Sequence, residues 1–99
     1  MNVQIEGVPA ESRFEWSRYV AETVARALRP ESNRCRRLVG TFSRDEDRRL
    51  CSLEIILDDG RRMTSCGRGG TRAEAVEMAA NALAIRGQSE LGRGLWDAA

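Results

Sequence analysis

Residues 58–87 decide the fold, and they read DDGRRMTSCGRGGTRAEAVEMAANALAIRG. Asp59-Gly60 fits the two central positions of a type I′ hairpin turn, where a positive φ favours these residue types. A short strand is expected to return from this turn over residues 61–66. Thr71 and Glu74 then have the Thr-x-x-Glu spacing of a capping box, which opens an alanine-rich helix. The stretch therefore predicts a turn, a strand, a glycine-rich corner and a helix.

The corner between this strand and this helix combines glycines with two arginines. Gly69, Gly70 and Thr71 place the backbone amides of a helix N-terminus beside Arg68 and Arg72. Amides and guanidinium groups arranged in this way bind phosphate or carboxylate. We therefore predict these five residues as a candidate nucleic-acid site, the alternative being a solvated corner neutralised by nearby acidic side chains.

Upstream of the corner, the apolar pattern changes from helical to alternating. Apolar residues recur every four positions from Trp16 to Leu28, which predicts an amphipathic helix, and Ser12 begins a second capping-box pattern. Alternation over residues 35–43 and 48–57 predicts two strands. The chain should thus be an α+β domain of order α-β-β-β-α, with a three-stranded antiparallel sheet and both helices on one face.

The length and the ends of the chain limit the domain organisation. Its 99 residues suffice for a single domain spanning residues 1–99, with a compact core expected from about residue 10 to residue 87. Residues 1–9 form a short lead, and residues 88–99 have no clear periodicity. That tail is expected to be flexible or to dock on a partner.

The composition is that of a soluble protein. Charged residues are 31% and hydrophobic residues 41% of the chain, with a formal net charge of +1. No apolar run approaches the ~20 residues of a membrane span, and no secretory signal is visible, so we expect a cytoplasmic protein. All basic residues are arginine, and the segment from Arg34 to Arg72 has ten arginines against six acidic residues. A local basic excess is the minimum requirement for contact with nucleic acid.

Metal, cofactor and catalytic sites are not expected. Cys35, Cys51 and Cys66 form no Cys-x-x-Cys pair, and the chain has no histidine to complete a zinc site or to activate a thiol. No cofactor fingerprint is present. The sequence therefore predicts a protein that is not an enzyme and needs no metal or cofactor.

Two further features indicate a protein partner. Arg36, Arg37, Arg48 and Arg49 lie on neighbouring strands and are expected to form a basic sheet face, although such charges also protect exposed strands from aggregation. Trp96 in the tail is a candidate anchor, because tryptophan is enriched at interface hot spots. Packing of Trp96 back onto the domain is the alternative.

The order of elements and the last third of the chain resemble the double-stranded-RNA-binding domain family. The likeness covers about residues 14–86, with Gly67-Arg68-Gly69-Gly70 as the family's glycine corner, Thr71 as the cap, and residues 79–83 in the alanine-rich helix. The family's motif has three basic residues, and only the first has a basic counterpart in this chain, which is Arg72. Ala73 and Val76 replace the other two. The resemblance thus implies the fold together with a degraded RNA-binding motif.

Three functions follow from this resemblance and composition. The first is a non-enzymatic binding module that acts by protein–protein interaction, with a nucleoprotein complex among the expected partners. The second is a genuine duplex-RNA binder that uses arginine in place of lysine. The third is a phage or mobile-element inhibitor of a bacterial defence complex, of the anti-CRISPR type. The loss of the basic motif favours the first.

Overall fold

The computed structural model describes residues 1–29 and 31–87. Two short 3₁₀ turns, Ala10–Ser12 and Glu31–Arg34, accompany the longer elements. Those elements are β1 (Asn2–Glu6), α1 (Arg13–Ala27), β2 (Cys35–Asp45), β3 (Arg48–Leu57), β4 (Arg62–Gly69) and α2 (Arg72–Arg86).

The sheet has four strands in the order β1-β2-β3-β4. β1 pairs in parallel with β2, whereas the β2–β3 and β3–β4 pairs are antiparallel. The α+β class is therefore confirmed, but the predicted three-stranded antiparallel sheet is wrong. The residues taken as a short lead form a strand because Val3 and Ile5 point to the core side, and Ile5 is buried. α1 is then the crossover that joins two parallel strands.

Both helices lie on one face of the sheet and share one core with it. α1 and α2 contact each other, and α2 packs mainly over β4 and β3. Trp16 is half-buried against this core. The largest fully buried side chains are Val20, Val24, Leu28, Leu38, Cys51, Leu53, Ile55, Leu57, Val76 and Leu83. The opposite face of the sheet is covered by no element among the described residues.

The two predicted capping boxes have different outcomes. At α2, the Thr71 hydroxyl accepts a hydrogen bond from the Glu74 backbone N–H at 3.1 Å, as the Thr-x-x-Glu spacing predicts. At α1, Ser12 occupies the N-cap position but makes no side-chain cap. Its hydroxyl donates to the Pro9 carbonyl instead, at 3.1 Å, because a 3₁₀ turn precedes the helix.

The two hairpin turns each have one residue with positive φ. Between β3 and β4 that residue is Gly60, at φ 90°, and the Leu57 backbone N–H donates to the Arg61 carbonyl across a three-residue loop. This is a three-residue hairpin, so the predicted type I′ turn is wrong. Between β2 and β3 the residue is Glu46, at φ 57°, a left-handed conformation that costs a residue with a side chain about 1 kcal/mol.

Candidate nucleic-acid interface

The glycines of the β4–α2 corner allow the helix to approach the strand closely. A Cβ atom at Gly67 would overlap the Ala75 carbonyl and the Ala79 backbone nitrogen, and one at Gly69 would overlap the side chain of Glu74. The Ser65 hydroxyl on the same side of β4 donates to the Ala79 carbonyl at 2.7 Å. Gly67 and Gly69 are therefore packing residues, and their backbone is covered by α2. A Cβ atom at Gly70, in contrast, would meet only a Glu74 carboxylate oxygen, at 3.8 Å.

Arg68 and Arg72 do not converge on one ligand position. Arg68 follows Gly67 and precedes Gly69, so its side chain points to the open face of the sheet, where it pairs with Asp45 at 3.9 Å. Arg72 lies in the helix layer, with its guanidinium carbon 5.9 Å from the centroid of the Trp16 ring. The predicted five-residue corner is thus divided between the two faces of the sheet.

A cleft on the helix side contains Arg72 and a second arginine. This cleft of about 310 Å³ is lined by Trp16, Arg49 and Arg72. Gly70 and Thr71, which precede α2, and Ala73 in its first turn complete the lining. Arg49 faces the helix side because it alternates in phase with the buried Cys51 and Leu53 on β3. We call this site the Arg49–Arg72 cleft.

The charges around the Arg49–Arg72 cleft are only partly compensated. Within residues 1–29 and 31–87, neither Arg49 nor Arg72 forms an ion pair with a carboxylate. Arg44 is the direct cross-strand neighbour of Arg49 and donates to the Glu46 carbonyl, at 3.1 Å. Like charges placed this close repel each other. An anion bound in the cleft would relieve that repulsion and would also meet the N-terminal amides of α2.

Trp16 gives the cleft a fixed aromatic wall. Its ring lies 5.3 Å from the Phe42 ring and 5.6 Å from the Tyr19 ring, the latter edge to face. These contacts attach Trp16 to the core and leave one side of it beside Arg72. From the sequence, Trp16 was assigned only to the apolar side of the predicted helix and was not included among the site residues.

The four arginines expected to form one basic sheet face are dispersed. Arg37 lies on the open face opposite Ile56 and donates to the Gln4 side chain at 2.7 Å, and Arg36 is exposed at the bulge beside it. Arg48 lies at the other end of β3, about 26 Å away at the usual rise per residue. Arg49 points to the opposite face. Trp96, the expected anchor, lies outside the described residues.

No metal site occurs among the acidic and thiol groups of the described part of the chain. Asp59 forms ion pairs with Arg34 at 3.5 Å and with Arg61 at 3.0 Å. The described residues contain no cluster of potential metal ligands. Burial raises the pKa of the Cys51 thiol to about 12, with a further increase from nearby Cys66. Burial also raises the pKa of Cys35. Neither described helix has the length and apolar character needed to cross a membrane.

The elements define a β-α-β-β-β-α fold with a mixed four-stranded sheet, and solved structures share it. A ribosomal subunit interface protein from Coxiella burnetii is similar over 98% of this chain and 96% of its own, with a TM-score of 0.67 and 11% identity. The N-terminal domain of Protein Y from Thermus thermophilus is similar over 87% of this chain and 94% of its own, with a TM-score of 0.69 and 17% identity. No protein-family model and no curated protein sequence matches the chain.

These likenesses overturn the resemblance to the double-stranded-RNA-binding domain family. The order α-β-β-β-α is shared by both folds, but here a first strand precedes it and pairs in parallel with β2. The structural neighbours are similar over 87–98% of this chain, a span that includes this first strand. The three functions predicted from the resemblance and the composition are therefore wrong as well. They are the degraded RNA-binding module, the arginine-dependent duplex-RNA binder and the anti-CRISPR-type inhibitor.

Proposed function

We propose that this chain binds the ribosome, at a surface that includes ribosomal RNA. The observation that carries this proposal is the likeness to a ribosomal subunit interface protein over nearly the whole of both chains. A partner of this kind is a nucleoprotein complex in the cytoplasm. We further propose that the chain acts by binding alone, without catalysis or a cofactor.

The Arg49–Arg72 cleft supplies suitable chemistry for this partner. Arginine makes planar, bidentate contact with phosphate, and both guanidinium groups lack an ion-paired carboxylate among the described residues. The N-terminus of α2 adds partial positive charge, and Trp16 provides an aromatic surface beside it. Phosphate contacts contribute affinity without reading a sequence, which suits recognition of folded RNA by shape.

Sedimentation with purified ribosomes and separated subunits tests the proposal. The parent chain should pellet with ribosomes at low salt and dissociate as salt is raised. The double variant Arg49→Ala/Arg72→Ala should bind more weakly, because fewer phosphates are neutralised. The slope of log affinity against log salt should decrease by about 0.7–0.9 for each phosphate that no longer has an arginine partner.

A matched control is available on the surface of the same domain. Arg18 and Arg61 already pair with Glu22 and Asp59, at 3.5 Å and 3.0 Å, so the variant Arg18→Ala/Arg61→Ala removes the same charge away from the cleft. The control should retain most of the parent's binding. Absence of co-sedimentation at any salt concentration would contradict ribosome binding. Equal weakening in the two double variants would contradict the assignment to the cleft.

A further inference from the structure

β4 is an edge strand with unpaired backbone groups. The Leu57 N–H donates to the Arg61 carbonyl at 2.8 Å, which fixes the alternation of the β3–β4 ladder. From that pair onward, every second residue of β4 directs its N–H and C=O away from β3. The four residues that do so are Arg62, Thr64, Cys66 and Arg68. No described strand pairs with them on that side.

This edge is protected by charged side chains and not by proline or a bulge. β4 contains no proline, and the register irregularity in the described sheet lies in β2. A side chain from the last turn of α2, Arg86, donates through Nη1 to the Thr64 carbonyl. Cys66 lies in the middle of the strand and is exposed. Its backbone N–H and C=O point away from β3, and no described strand pairs with them.

The side chains along the edge differ between the two faces. On the open face, Arg62 pairs with Glu54 at 3.8 Å and Arg68 with Asp45 at 3.9 Å. Both arginines are more than 60% exposed, and ion pairs this long and this exposed contribute little. An acidic group on a neighbouring strand could therefore replace either partner at small cost.

The helix side of the edge is apolar. A row of α2 begins at Ala75, which packs on Gly67, and continues along the helix through Met78, Ala82 and Ile85. Met78 is 56% and Ile85 66% exposed. Met78 also lines a groove between α2 and α1, with Thr23 and Ala27, so this row is an exposed apolar surface of α2.

We propose that the β4 edge binds an extended acidic segment of a protein partner by strand addition. Backbone hydrogen bonds to Arg62, Cys66 and Arg68 and to the Thr64 N–H supply affinity, since the Thr64 carbonyl already has Arg86 as its donor. Alternate side chains of the segment supply specificity. Acidic residues of the segment face Arg62 and Arg68, and the apolar residues between them face the side of the sheet that carries α2. A second copy of this chain fits less well, because pairing two β4 strands brings together two copies of Arg62 and Arg68. This site is independent of ribosome binding.

The test uses the peptide Glu-Val-Glu-Val-Glu-Val-Glu as a probe, titrated against the full chain by calorimetry. A peptide of the same composition in blocks, Glu-Glu-Val-Val-Val-Glu-Glu, is the control for charge alone. We expect the alternating peptide to bind and the block peptide to bind about tenfold more weakly. Reversal of both edge charges, Arg62→Glu/Arg68→Glu, should abolish binding, whereas Arg18→Glu should not change it.

A proline substitution isolates the backbone contribution. Cys66→Pro removes an N–H that points away from β3, so the β3–β4 ladder is retained. The matched variant Cys66→Ser keeps the N–H and removes only the thiol. Cys66→Pro should weaken the alternating peptide about tenfold relative to Cys66→Ser. The peptide Glu-Val-Glu-Pro-Glu-Val-Glu makes the same test with the parent protein, should the proline variant not fold.

Several results would overturn the proposal. Equal binding of the alternating, block and proline-containing peptides would leave charge as the only interaction. Binding to a chain ending at residue 87, but not to the full chain, would mean that the edge is closed to partners by residues 88–99. A dimer of the parent that Cys66→Pro dissociates would assign the edge to a second copy of the chain.

Discussion

Replacing Gly67 with alanine should severely destabilise the domain, although only one methyl group is added. The new Cβ would overlap backbone atoms of α2 at Ala75 and Ala79, and backbone atoms cannot rotate away as a side chain can. The helix must therefore move outward by about 1 Å to restore van der Waals separation. Gly67 lies on a central part of the β4–α2 contact, so no short loop can absorb the displacement.

The expected loss follows from what α2 contributes to the core. Val76 and Leu83 are fully buried there, and each such side chain contributes about 1.5–3 kcal/mol. A gap of 0.5–1 Å removes about a quarter to a half of the contact energy, or about 1–3 kcal/mol in total. Weakening of the hydrogen bond from Ser65 to the Ala79 carbonyl adds about 1 kcal/mol. We expect Gly67→Ala to lower the free energy of unfolding by about 2–4 kcal/mol.

Urea denaturation followed by circular dichroism measures this change, with Gly70→Ala as a matched control. A Cβ at Gly70 meets only a Glu74 carboxylate oxygen, at 3.8 Å, and Gly70 does not have a positive φ. That variant should be neutral or more stable, by up to about 1 kcal/mol, because alanine restricts the unfolded chain. If Gly67→Ala unfolds within about 0.5 kcal/mol of the parent, close packing is not the reason for this glycine.

Three further predictions concern the turn, the core and the thiols. Glu46→Gly should raise the free energy of unfolding by about 0.5–1 kcal/mol, because glycine adopts the left-handed conformation without strain. Asp47→Gly should not raise it, and thermal melts of the two variants measure the difference. Leu53→Ala should lower it by about 2–5 kcal/mol in urea titrations, because Leu53 is completely buried. The raised pKa values of Cys51 and Cys35 mean that the folded state retains thiol protons that the unfolded chain loses. Stability measured in urea should therefore decrease as pH rises above 9, towards the Cys51 pKa of about 12, and replacing Cys51 with alanine should flatten that decrease.

The sequence was a good guide to elements whose signals are local. The strand alternation of β3 and the Thr71–Glu74 cap both appear in the structure as the residues predict. β1 also had a local signal, because Val3 and Ile5 alternate with polar residues, but it is short. Its parallel pairing with β2 depends on residues distant in the sequence. A strand order set by such long-range contacts cannot be deduced from periodicity, and this omission led to the wrong family.

The candidate site was predicted less well, for two physical reasons. In the sequence, a glycine at a strand end looks the same whether it makes room for a phosphate or for a helix. Only the position of α2 shows that Gly67 and Gly69 make room for a helix. Arg48 and Arg49 were assigned to one surface, although adjacent residues of a strand point to opposite faces. Applying that rule to β3 would have separated them and placed Arg49 with the helices. Its proximity to Arg72 and Trp16 required the fold.

The parallel pairing of β1 with β2 also has a consequence for the order of folding. β1 has no partner among the described strands until α1 and residues 37–41 of β2 have been synthesised, since Asn2 pairs with Arg37 and Glu6 with Thr41. The hairpins β2–β3 and β3–β4, in contrast, close over loops of a few residues. Closing a longer loop costs more chain entropy, and contacts of large sequence separation form more slowly. The N-terminal segment of a nascent chain would therefore be the last part of the sheet to become ordered, after the three strands that follow it have assembled.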